Sequence, residues 1–98
     1  MEIVMNRSEE TLTVEVIGRL DTLTSPELES KLEPELQGIK ELIIDLKKLE
    51  YISSAGLRVL LGAAQAMEDI GEMKVKNPNE EVMDVFRLTG FDDILTIE

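Results

Sequence analysis

Residues 41–46 read ELIIDL. Leu42, Ile43 and Ile44 stand together with Leu46 behind them, a near-continuous apolar run too short for a helix and of strand length. Such a run is the signature of a strand covered on both faces in a parallel sheet. It is therefore expected at the centre of the fold, and the flanking segments must supply its neighbours.

Two of those neighbours lie upstream. EIVM, then RSEE, then TLTVEVIG read as two strands around a turn, with Leu12, Val14 and Val16 alternating with Thr11, Thr13 and Glu15. In RLDTLTSPELESKLEPELQG, Ser25 is placed to cap a helix and Pro26 to occupy its first position, while Leu28, Leu32 and Leu36 recur every four residues. Pro34 lacks an N–H and clashes with the preceding turn, so this helix should end or kink near Glu33.

Downstream, Leu57, Leu60, Leu61, Ala64 and Met67 trace one face of a helix, and Val59, Ala63, Ala66 and Ile70 a second. One side must meet the sheet; the Val59, Ala63 and Ala66 side packs on a neighbouring helix or lines a docking surface. EMKVK alternates as a short strand. NPNEEVMDVFRLTG reads as a helix with Asn77 as cap, Pro78 in first position, Glu80 at capping-box spacing and Gly90 as terminator. ILTIE closes as a last short strand. The order β-β-α-β-α-β-α-β predicts a single α/β domain over residues 1–98, with helices packed against a mixed, mostly parallel sheet.

Composition narrows what such a domain does. The 98 residues contain no Cys and no His, which removes disulfides, thiol redox chemistry, Cys/His zinc sites and histidine acid–base catalysis. Ten Lys and Arg face 21 carboxylates, a net charge of −11 that opposes nucleic acid and anionic membrane surfaces. The apolar runs are only a few residues long and MEIVMNRSEE has no leader pattern, so a cytoplasmic protein without membrane insertion is expected. The scattered Met residues read as core fillers. Asp21 and Asp45 are paired with no nucleophile, metal motif or phosphate loop, so no catalytic residue, metal or cofactor is assigned and an enzyme is not expected.

The stretch YISSAGLRVLLG, residues 51–62, remains. Two serines stand where a strand hands over to a helix, a place where unpaired backbone N–H groups and the helix dipole favour negative charge. Capping the helix needs one hydroxyl; the other is free to carry a phosphate, with about −1.5 to −2 charge and three acceptor oxygens. Ala55 and Gly56 leave room for a kinase loop or a nucleotide phosphate, or permit close helix–sheet packing.

This stretch resembles the signature of the STAS domain, the fold of bacterial anti-sigma factor antagonists. The family pattern is apolar-apolar-Asp-Ser-Ser/Thr/Ala-Gly-Leu. Alignment on Gly56 and Leu57 puts Ser54 on the regulatory phosphoserine, Ser53 where the family usually has Asp, Ala55 on the small residue and Arg58 in place of a common Gly. GRLDTLTSPEL resembles the family's element before the first helix and puts Asp21 on its partner-facing acidic position. LIIDLKKLEYI and VFRLTGFDDILTI resemble the central strand and the closing segment.

The resemblance implies a partner switch. The unphosphorylated antagonist binds an anti-sigma factor that is also a serine kinase, which frees a sigma factor; phosphorylation at Ser54, with Ser53 as the second possible acceptor, weakens the complex, and a serine phosphatase restores it. ATP and magnesium belong to the kinase. Asp21, Ser53, Ala55, Gly56, Leu57 and Arg58 are the implied contacts to the partner. The alternative is a non-catalytic STAS subunit of another assembly, a lipid-transport accessory or a stress-signalling scaffold, whose serine is not modified.

Overall fold

The computed structural model describes residues 1–98. Strand β1 (Glu2–Ser8) and strand β2 (Thr11–Leu20) form an antiparallel hairpin, and β2 is the hub of the sheet. Its first half pairs in parallel with β3 (Glu41–Asp45), from Thr11↔Glu41 to Glu15↔Asp45. Its second half pairs in parallel with a short strand β4 (Leu49–Ile52), across an irregularity between Gly18 and Arg19. Strand β5 (Glu72–Lys76) lies parallel to β3 on the other side. The order is thus β1-β2-β3-β5, with β4 beside the far end of β2. The mixed, mostly parallel α/β sheet is as expected. The closing ILTIE segment is reduced to one parallel bridge, Val75↔Ile97.

ELIIDL is central, yet it is not covered on both faces. Leu42 and Ile44 are buried, while Glu41, Ile43 and Asp45 are only half-buried. Leu12, Val14, Val16, Leu42, Ile44 and Val75 point to one core that also holds buried side chains from every helix. The opposite face carries charge: Lys74 Nζ lies 3.2 Å from Glu41 and 3.9 Å from Glu98, and Lys48 lies 3.7 Å from Glu15. A run of apolar letters thus concealed the ordinary alternation of a one-sided sheet, because Ile43 is tolerated among partly wetted neighbours.

Helix α1 (Ser25–Leu32) stops where Pro34 requires, passing into a 3₁₀ turn over Glu33–Leu36. Its cap differs from expectation. Ser25 is buried, and its Oγ has no hydrogen-bond partner. The N-cap is Thr24, and the turn ahead of the helix is held from upstream: Asp21 Oδ1 accepts from the N–H groups of Leu23 at 3.0 Å and Thr24 at 3.1 Å. Thr24 Oγ1 accepts from the Asp21 N–H at 2.9 Å, and the Ser25 N–H donates to the Asp21 carbonyl at 2.9 Å. This is the reciprocity of a capping box, begun four residues before Ser25.

Helix α2 (Ser54–Met67) buries Leu57, Val59, Leu60, Ala63 and Met67. Helix α3 (Glu80–Thr89) ends at Gly90 as expected, with φ +78°, the left-handed turn that glycine takes without penalty. Its cap is Asn79, not Asn77: Asn79 Oδ1 accepts from the Val82 N–H at 2.8 Å, and its Nδ2 donates to the Leu49 carbonyl at 3.0 Å. Asn77 has φ +60° and donates to Asp45 Oδ1 at 3.2 Å, so that pair holds the turn after β5. A short 3₁₀ turn (Phe91–Asp93) leads to the terminus. No helix is long and apolar enough to cross a membrane.

Candidate functional site

The last paired residues of β2 and β4 are Leu20 and Ile52. Because the strands are parallel, both chains leave the sheet at the same edge, one into Asp21 and the other into Ser53. The Ser53 N–H donates to the Leu20 carbonyl at 2.9 Å, which ties the two exits together.

Ser53 has extended backbone geometry, and its Oγ accepts from the Gly56 N–H at 3.4 Å. Ser53 is therefore the N-cap of α2. Ser54 is the first helical residue, is exposed, and its hydroxyl is engaged by no other group of the chain. The two hydroxyls divide the work: one satisfies an orphan amide, the other stays available. No carboxylate lies in the first turn of α2, so the positive end of the helix dipole is left unneutralised there.

Gly56 sets the distance between this helix end and the sheet. A Cβ at that position would lie 2.8 Å from Ile52 Cγ1, 2.9 Å from Leu20 Cγ and 3.0 Å from the Leu20 carbonyl oxygen. The small residue thus serves close helix–sheet packing. Gly56 and Leu57 are both buried, and they position the site from within. Arg58 is exposed and Ala55 half-buried, so Asp21, Ser53, Ser54, Ala55 and Arg58 form the accessible part of the expected set.

Asp21 sits beside that surface with its carboxyl held below the usual range. The main cause is the Thr24 backbone N–H, joined by the Thr24 hydroxyl, the Leu23 N–H and the Arg19 charge, with partial burial acting against them. It is anionic throughout the physiological range. Arg19, two residues before it, places its guanidinium 4.3 Å from the centroid of the Tyr51 ring, with Nε 3.9 Å from Asp21 Oδ2.

Arg19, Tyr51 and Leu23 escaped the sequence reading. The signal for the first two was positional, since each stands two residues before a strand exit, but it exists only once the Arg19↔Tyr51 register is known. Leu23 is 89% exposed at the tip of the Asp21 turn, an apolar side chain that no core claims.

Residues 2–98 match the family described as the STAS domain. The chain belongs to the STAS domain family. This STAS domain is 30% identical over 98 residues to the anti-sigma-B factor antagonist of Bacillus subtilis (strain 168), across 99% of this chain and 90% of that protein. It is similar in fold to an anti-sigma factor antagonist from Mycobacterium paratuberculosis, with a TM-score of 0.89 at 23% identity, over 98% of this chain and 83% of that one. The phosphorylated form of the cell fate determinant SpoIIAA of Bacillus superposes with a TM-score of 0.77 at 19% identity, over 99% of this chain and 91% of that one.

Proposed function

We propose that this STAS domain is an anti-sigma factor antagonist switched by phosphorylation of Ser54. Unphosphorylated, it binds an anti-sigma factor that is also a serine kinase and so releases a sigma factor. The observation that carries this reading is the division of labour at α2: Ser53 caps the helix and Ser54 is left exposed and unengaged. The antagonist of Bacillus subtilis and the phosphorylated SpoIIAA structure support it.

The chemistry asks little of the chain itself, which acts as a substrate and a binding partner in the cytoplasm and not as an enzyme. Ser54 Oγ attacks the γ-phosphorus of ATP held with magnesium on the kinase; the bond to the β-phosphate oxygen breaks, ADP leaves, and a base of the kinase takes the hydroxyl proton. The first-turn amides and the helix dipole tolerate the new dianion, so α2 need not unfold. What changes is the surface. A partner fitted around a neutral hydroxyl must desolvate a phosphate, and the fixed charge of Asp21 at the neighbouring strand exit adds repulsion. A serine phosphatase reverses the step by hydrolysis.

The test is a pull-down from the source cell with wild type, Ser54→Ala and Ser54→Asp as baits, joined to mass spectrometry of the kinase-treated protein. A serine kinase recovered by wild type and Ser54→Ala but not Ser54→Asp, with phosphate on Ser54, supports the proposal. Modification only at Ser53, or transport subunits recovered equally by all three baits, would overturn it.

A further inference from the structure

A second surface lies two turns along α2 from Ser54, about 12 Å by the helical rise. There a groove of about 350 Å³ runs between α1, with its 3₁₀ turn, and α2. Leu32 and Leu36 form one wall, Val59, Ala63 and Ala66 the other, and Gly62 opens the α2 side.

Gly62 is the feature the chain itself does not explain. It sits inside a 14-residue helix, where glycine is among the poorest choices. Its φ is not left-handed, and a Cβ there would meet nothing within 4 Å. Gly56 in the same helix is required by Leu20 and Ile52; Gly62 is required by no atom of this protein. A bare backbone facing an apolar groove lets another chain come closer to α2 than any side chain would allow.

The rim names the partner's charge. Glu29 and Glu33 line the α1 edge, both exposed and both outside every ion pair of the structure. The α2 edge has no carboxylate from Ser54 to Met67. An apolar floor with one acidic edge fits a helix whose apolar row is flanked by Lys or Arg. A second copy of this chain fits poorly, since each copy carries a net charge of −11 and would set one acidic rim against another.

We propose that the groove between α1 and α2 docks a basic amphipathic helix of a protein partner, with closest approach at Gly62. This surface is separate from Ser54 and stands whether or not that serine is modified.

Two synthetic helices test it by amide chemical-shift titration of the isotopically labelled protein: one with leucines three and four residues apart flanked by lysines, and a twin with glutamates for the lysines. The lysine helix should shift Leu36, Gly62, Ala63 and Ala66 and the glutamate helix should not. Glu29→Gln with Glu33→Gln should weaken binding several-fold, and Gly62→Leu should abolish it. Gly62→Ala guards against a folding artefact: it should raise the thermal midpoint of the free protein while weakening the complex. Shifts spread over the acidic surface, equal binding of the two helices, no binding at all, or dimerisation of the protein through these residues would each overturn the proposal.

Discussion

The Ser53 N–H and the Leu20 carbonyl oxygen are 2.9 Å apart, and this bond locks the cap of α2 to the end of β2. The exposed Ser54 and the turn carrying Asp21 are thereby held side by side on rigid elements. The behaviour of the site should follow from who supports whom in that arrangement.

Ser53 and Ser54 should respond differently to the same substitution. Ser53→Ala removes the cap and should cost about 0.5 kcal/mol in urea denaturation, at the low end of the range because the bond to Gly56 is 3.4 Å long. Ser53→Asp should keep the cap and gain from the helix dipole. Ser54→Ala should stay within about 0.5 kcal/mol of wild type, as exposed substitutions usually do. Equal losses at the two serines would refute the division of labour.

Gly56→Ala should destabilise by roughly 1–3 kcal/mol, the usual cost of overpacking. The added methyl meets Ile52, the Leu20 side chain and the Leu20 carbonyl, and a backbone atom cannot rotate away. The start of α2 must then lift from the sheet, so amide shifts should move at Ser53 and Ser54 as well as at Leu20. A variant as stable as wild type with unmoved shifts would contradict the packing described.

Ser25→Ala should stabilise the fold. The hydroxyl is buried and unpartnered, and an unsatisfied buried donor costs about 1–3 kcal/mol, so its removal should raise the unfolding free energy by about 1 kcal/mol and the denaturation midpoint with it. A fall in the midpoint would mean that the hydroxyl is hydrogen-bonded in solution.

Two groups should give opposite signs in a pH–stability profile. The Asp21 pKa in the folded state lies below its ordinary value of 3.8, so its contribution is present above that value and is lost as pH falls through the lowered one. Lys74 is raised above 10.5, chiefly by its hydrogen bond to Glu41, with the charges of Glu41 and Glu98 adding to it. Its contribution is present below that value and is lost as pH rises through the raised one. Asp21→Asn should flatten the acid limb and Lys74→Met the alkaline limb; a profile unchanged by either substitution would contradict the corresponding contact.

Much of this was legible because the signals were local. The alternation in TLTVEVIG, the stop at Pro34 and the terminator Gly90 each depend on a few neighbouring residues, and each appears where the sequence places it. Caps were less legible. Ser25 and Asn77 have suitable side chains, but a cap is chosen by where the chain turns: Asn79 holds that position at α3, while α1 follows Thr24 and Asp21 holds the turn ahead of it. The short LEYI strand has no separate place in the expected order because four residues show too little periodicity to stand alone.

By itself, the sequence determined the class of domain, the chemistry excluded by the missing Cys and His, and the pair of serines at a strand-to-helix handover. Periodicity, composition and motif spacing are properties of the chain alone. Only the tertiary structure decided which serine caps and which is free, that Gly56 and Leu57 face inward, and that Gly62 faces an apolar groove. Those outcomes depend on the register of β2 against β4 and on the packing of α1 against α2. Contacts between residues about thirty positions apart leave no mark in a local pattern.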